Sequence, residues 1–101
     1  MGASKARQFT QESIDLSMVA RALAHPARIE IIDHLKKNSI CRNSDLIPFL
    51  KLSKTTVHQH LVKLRDAHLI DYEYMKSSYL IRLNIASIEE FNEFVNQVVR
   101  E

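Results

Sequence analysis

Between Lys54 and Lys63 the chain spaces Thr55, His58 and Gln59 so that they share one side of a helix, with Val62 one turn beyond His58. Setting Val57 at 0° on a helical wheel puts Leu61 at about 40° and Leu64 at about 340°, which makes an apolar stripe. Thr55, His58, Gln59 and Val62 then centre at about 150°, with Lys54 and Lys63 towards the flanks. The face away from the stripe offers a hydroxyl, an imidazole, an amide and a branched methyl pair. Amides and hydroxyls exchange hydrogen bonds with base edges in a DNA major groove, and a branched methyl can touch the thymine methyl. Lysines and the free N–H groups of a helix start serve phosphate. An ordinary solvated face has a similar composition, so the flanking elements must decide.

Other chemistry finds less support. No nucleophile, base and orienting group can be assembled, and no glycine-rich phosphate loop is present, so enzyme activity is not expected. His58 and His60 lie about 200° apart on a helix and cannot hold one ion together. His25 and His34, nine residues apart, are also poorly spaced, and His60 sits at the edge of the apolar stripe as a packed residue. Cys41 is alone; beside Arg42 it resembles a redox or soft-metal sensor less than a small buried hydrophobe. No cofactor is expected, and neither is a metal or small-molecule effector.

The chain's 101 residues suit one domain, able to bury roughly 65% of its unfolded surface. Hydrophobic residues at 46% and charged residues at 26% exclude wholesale disorder. One glycine and two prolines favour helices joined by short turns. No apolar run approaches the roughly 18 residues of a membrane span, and MGASKARQFTQE lacks the apolar stretch of a signal peptide. The expected location is the cytoplasm. The net charge of +2 says little, but its distribution says more. Lys51, Lys54, Lys63 and Arg65 share a stretch without an acid, whereas Glu89, Glu90, Glu93 and Glu101 face only Arg100 near the end. That asymmetry suits one surface for a polyanion and another for a different partner.

The elements that would position the candidate face follow from periodicity. Residues 1–9 read as a flexible tail and 10–101 as one domain. Thr10 caps a helix to Leu23 that is apolar on two sides, with Ile14, Met18 and Ala22 opposite Leu16, Val19, Ala20 and Leu23. In so small a protein, one side must meet something beyond its own core, and a partner subunit is the simplest candidate. Pro26 opens a second helix with an apolar arc of Ile29, Ile31, Ile32 and Leu35. Arg28 intrudes on this arc and is expected to be paired. Ser39-Ile40-Cys41 is a short extended link, and Asn43 or Ser44 caps a brief helix shortened or distorted by Pro48. Ser53 caps the helix carrying the candidate face. Ile70, Tyr72 and Tyr74, then Tyr79, Ile81 and Leu83, alternate as a hairpin around Lys76-Ser77-Ser78. Ser87 and Glu90 read as a capping box for a last helix, with Phe91, Phe94, Val95 and Val98 on its apolar side.

The order is α-α-β-α-α-β-β-α, mainly helical with a small β-hairpin wing: a winged helix-turn-helix. Lys76 at the wing tip and Arg82 nearby suit phosphate or minor-groove contact, or simply keep the hairpin soluble. The segments ALAHPARIEIIDHL, SDLIPFLKLSKTTVHQHLVKLRDAHLI and YLIRLN resemble the ArsR-type bacterial regulators over about Val19–Asn84, roughly two thirds of the chain. The resemblance implies a homodimer built on the first and last helices, 10–24 and 87–100. It also implies repression through an imperfect palindrome in double-stranded DNA, read by Lys54–Ala67. Ile14, Met18, Ala22, Phe91, Phe94, Val95 and Val98 then become the dimer interface. The sequence departs from the family pattern in three places. It has one cysteine at Ile40-Cys41-Arg42-Asn43 where metal sensors carry a pair, no histidine in the last helix, and His68 and Lys76-Ser77-Ser78 where glycines are common. A winged module that docks a protein in place of DNA is the alternative reading.

Overall fold

The computed structural model describes residues 8–100; most of the expected tail over 1–9 lies outside them. Helix α1 spans Gln11–Ala22, α2 Pro26–Asn38, strand β1 Ile40–Arg42, α3 Leu46–Leu50 after a 3-10 turn at Asn43–Asp45, and α4 Lys54–Asp66. Strands β2 (Ile70–Tyr74) and β3 (Tyr79–Leu83) follow, then α5 (Ile85–Val99). The chain is mostly helical with a three-stranded antiparallel sheet in the order β1-β3-β2. The central strand pairs Ile81 with Cys41 on one side and Tyr72 on the other.

Local chemistry sets the helix starts. Thr10 Oγ1 accepts the Ser13 N–H at 3.0 Å, and Ser53 Oγ accepts the Thr56 N–H at 3.2 Å, each satisfying a donor the helix leaves free. Before α2 the His25 ring does the same, its Nδ1 accepting the Ala27 N–H at 3.0 Å, while Pro26 fills the position where no N–H is needed. Two starts differ from the sequence reading. Helix α5 begins at Ile85, not at Ser87, because Asn84 Oδ1 accepts the Ser87 N–H at 3.4 Å. The turn before α3 begins with the Arg42 N–H donating to Asp45 Oδ2 at 3.1 Å, which leaves the Asn43 side chain free for another partner.

Helix α4 ends in a Schellman motif. The Leu69 N–H donates to the Leu64 carbonyl at 3.0 Å and the His68 N–H to the Arg65 carbonyl at 2.8 Å. This requires His68 at φ 62°, the left-handed region where glycine is usual. The wing differs: none of Met75–Ser78 has a positive φ, so the hairpin closes without the turn that glycine would serve, through a Met75 N–H to Ser78 carbonyl bond of 2.9 Å.

The core is built from Ile31, Leu35, Leu46, Leu61, Leu64, Leu69, Ile70 and Ile81, so every element from α2 to β3 except β1 supplies a fully buried side chain. Cys41 adds the contribution of β1. Ala22, expected on the partner-facing side of α1, is instead buried in this core beside Val19, because the small side chain sits where α1 meets the rest of the domain. Ile29, read as part of the apolar arc of α2, stays exposed. Arg28 does not find the expected partner: its Nε is buried without a hydrogen bond.

Candidate nucleic-acid interface

Val57, Leu61 and Leu64 of α4 turn into the core and leave the opposite face outward. Lys54, Thr55, His58, Gln59 and Lys63 are all exposed there, and Val62 is half-buried at its margin. Helix α3 and the Lys51-Leu52-Ser53 turn bring the start of α4 to the surface. The turn needs Lys51 in the left-handed conformation, φ 57° and ψ 40°.

The wing root is tied to this helix. Tyr79 Oη lies 3.1 Å from His58 Nδ1, and the Tyr79 backbone N–H donates to Asn43 Oδ1 at 3.1 Å. One residue thus joins α4, the turn before α3 and the central strand. Tyr74 pairs with Tyr79 in the β2–β3 register, and Tyr72, two residues from Tyr74, shares their face, so three phenol rings cluster beside α4. Ring centroids are 4.5 Å apart for Tyr72 and Tyr79 and 5.9 Å for Tyr74 and Tyr79. The Arg65 guanidinium stands 4.8 Å over the Tyr72 ring and its Nη1 reaches Tyr74 Oη at 3.5 Å. Burial, with the neighbouring Tyr79 hydroxyl, pushes the Tyr72 phenol above its ordinary range. Burial raises Tyr79 as well, so both rings stay neutral at physiological pH.

Arg65, Tyr74 and Tyr79 were absent from the sequence-predicted site. The period-two alternation already placed Tyr72 and Tyr74 on one face, but only the register places Tyr79 with them. Lys76 sits exposed at the wing tip as expected. Arg82 does not act as a free cation near it. It lies on β3 with its Nη2 2.6 Å from Glu73 Oε1, on the face opposite Tyr79 and Ile81, so its charge is already compensated. Among the described residues, no three His, Cys, Asp or Glu side chains converge as metal ligands. Burial, with Asp45 nearby, pushes the Cys41 thiol up to about 11, so it is protonated and unreactive at neutral pH.

A second surface lies at the far end. Helix α5 buries none of its residues fully; Ile88 and Phe91 pack partly against the core, while Phe94, Val95 and Val98 stay exposed. Between α5 and α1 runs a groove of about 520 Å³ with Leu16, Met18, Val19, Phe91 and Phe94 among its lining residues. Ile14 is half-buried on the same helix as Met18. No helix among the described residues is long and apolar enough to cross a membrane.

Comparison with known proteins places this architecture. Residues 25–72 match the family model of the bacterial regulatory proteins of the arsR family. The chain is 29% identical over 83 residues to the arsenical resistance operon repressor of Staphylococcus xylosus, covering 82% of this chain and 75% of that protein. It is 37% identical over 51 residues to the transcriptional repressor PagR of Bacillus anthracis, half of this chain and 52% of PagR. The crystal structure of PagR superposes with a TM-score of 0.65 at 26% identity, covering 80% of this chain and 92% of that one. An ArsR-like transcriptional regulator from Rhodococcus sp. RHA1 shares the fold with a TM-score of 0.78 at 20% identity, over 90% of this chain and 85% of that one. These relatives are transcription regulators, not enzymes. With two helix-turn-helix helices, a wing and a match to the arsR family of bacterial regulatory proteins over residues 25–72, the chain resembles the ArsR-type winged helix-turn-helix regulators.

Proposed function

We propose that the protein is a sequence-specific, homodimeric repressor that reads a palindromic operator in double-stranded DNA with the outward face of α4. The observation that carries this reading is the exposure of Thr55, His58 and Gln59 together on a helix anchored by Val57, Leu61 and Leu64. Lys54 and Lys63 on the helix and Lys76 on the wing tip supply the phosphate contacts. Arg65, braced against the tyrosines and 3.8 Å from Asp66 Oδ1, stands between helix and wing.

The dimer reading rests on α5. A 15-residue helix with no fully buried residue has little to hold it in place, since helices of that length are marginal alone. Covering Met18, Phe94, Val95 and Val98 with the same faces of a second copy would bury them and pair two α4 helices about 34 Å apart, one turn of duplex. The S. xylosus and B. anthracis relatives are both repressors, which supports repression as the outcome.

Selection of bound fragments from the source genome, followed by anisotropy titration of the selected fragment and a random duplex, tests the proposal. The expected result is a selected fragment bound at least about 10³-fold more tightly than random sequence, with affinity falling steeply as salt rises. Equal affinity for both duplexes, or none for either, would contradict it.

A further inference from the structure

We propose that Tyr79 is a positioning residue whose hydroxyl holds His58 in the tautomer protonated at Nε2, so that His58 meets a DNA groove only as a hydrogen-bond donor. This deepens the reading of α4 as the DNA-contacting helix and rests on it.

A neutral imidazole has one donor and one acceptor nitrogen, and the partner of one nitrogen decides the role of the other. Tyr79 Oη stands 3.1 Å from His58 Nδ1, and the two rings meet edge-on at 78°. A phenol O–H is the more acidic donor of the pair and an imidazole lone pair the more basic acceptor, so the hydroxyl donates and Nδ1 accepts. That occupies Nδ1 and leaves the Nε2–H as the polar atom the exposed ring can still offer.

The hydroxyl is aimed before any DNA arrives. The Tyr79 backbone is held through its N–H by Asn43 Oδ1, its ring packs 4.5 Å from Tyr72, and its strand is the middle one of the sheet. Burial keeps the phenol protonated. Asn43, Val57, His58 and Tyr79 line one small pocket of about 180 Å³, so the contact is part of the wedge between turn, helix and wing.

A ring fixed as a donor matches acceptor edges, namely guanine N7 and O6, adenine N7 and thymine O4, and rejects the amino groups of cytosine and adenine. Thr55 and Gln59 can both donate and accept. His58 is therefore the position on α4 where discrimination depends on a residue that itself touches no base.

The test uses the full chain with ¹⁵N-labelled histidine. Long-range ¹H–¹⁵N spectra of the free protein at neutral pH report the tautomer, and competition between operator variants reports base preference, for the wild type, Tyr79→Phe, His58→Ala and the double variant. The expected result is Nε2–H for His58 in the wild type and a tautomer mixture in Tyr79→Phe, which keeps the ring and so the packing. In the same variant, discrimination at one base step should fall about tenfold while affinity for random duplex holds. In a His58→Ala background, Tyr79→Phe should add nothing. An Nδ1–H tautomer in the wild type, an unchanged preference in Tyr79→Phe, or an undiminished effect without His58 would overturn the proposal. A wild type that binds no duplex would overturn it through the reading it rests on, a failure told apart because the spectra are recorded without DNA.

Discussion

The ring of His60 lies 4.4 Å from that of His25, centroid to centroid, so the middle of α4 packs directly on the cap of α2. His25 accepts the Ala27 N–H through Nδ1, which ties this contact to the helix start. The contact joins the helix that carries the candidate face to the helix beneath it, and it makes the fold sensitive to acid.

Burial, then the nearby His25, then Arg28, lower the His60 pKa below its ordinary 6.5. On acidification the unfolded chain therefore takes up this proton first. The contribution is constant above about pH 6.5 and is lost as pH falls through the interval below it. Urea unfolding at about pH 7.5 and about pH 5.5 should show a loss of stability at the lower pH that shrinks in His60→Gln. An equal loss in both proteins would contradict this origin.

Replacing His68 with glycine should stabilise the protein. The residue sits at φ 62° with both Schellman hydrogen bonds formed, so glycine would relieve the left-handed strain and keep both backbone bonds. The expected gain is about 1 kcal/mol, read as a higher urea midpoint at unchanged slope. A lower midpoint would mean that the imidazole makes an interaction outweighing the strain.

Charging the apolar side of α5 should separate the subunits of the proposed dimer. Phe94 is 41% and Val98 58% exposed in the single chain, so Phe94→Glu with Val98→Glu removes little from the monomer core. Each apolar side chain of this size contributes about 1.5–3 kcal/mol when buried, so the dimer should weaken by at least about 100-fold. Light scattering after size exclusion should then give the mass of one chain. An unchanged dimer would place the interface elsewhere.

The fold was legible because its signals are local. The caps Thr10 and Ser53, the Val57–Leu61–Leu64 stripe and the alternation in β2 and β3 each lie within one element, and the winged helix order follows from them. What escaped depends on contacts between elements. Asn43, one of the two caps expected for the brief helix alongside Ser44, accepts instead from the Tyr79 N–H, 36 residues away. Arg65 counts in the sequence only as one charge of the basic stretch, because its partners Tyr72 and Tyr74 sit on a strand facing it. Ala22 was placed outward because α1 is apolar on both sides, and only docking shows which side the domain uses.

The central claim is that the outward face of α4 reads sequence while the lysines beside it supply affinity. Anisotropy titrations of Thr55→Ala, His58→Ala, Gln59→Ala and Lys63→Ala on the selected operator and on random duplex test it most directly. The first three should each lose about 1–3 kcal/mol of preference for the operator, whereas Lys63→Ala should weaken both duplexes alike and lower the salt slope by about one. Wild-type affinity and preference in all four variants would contradict the account.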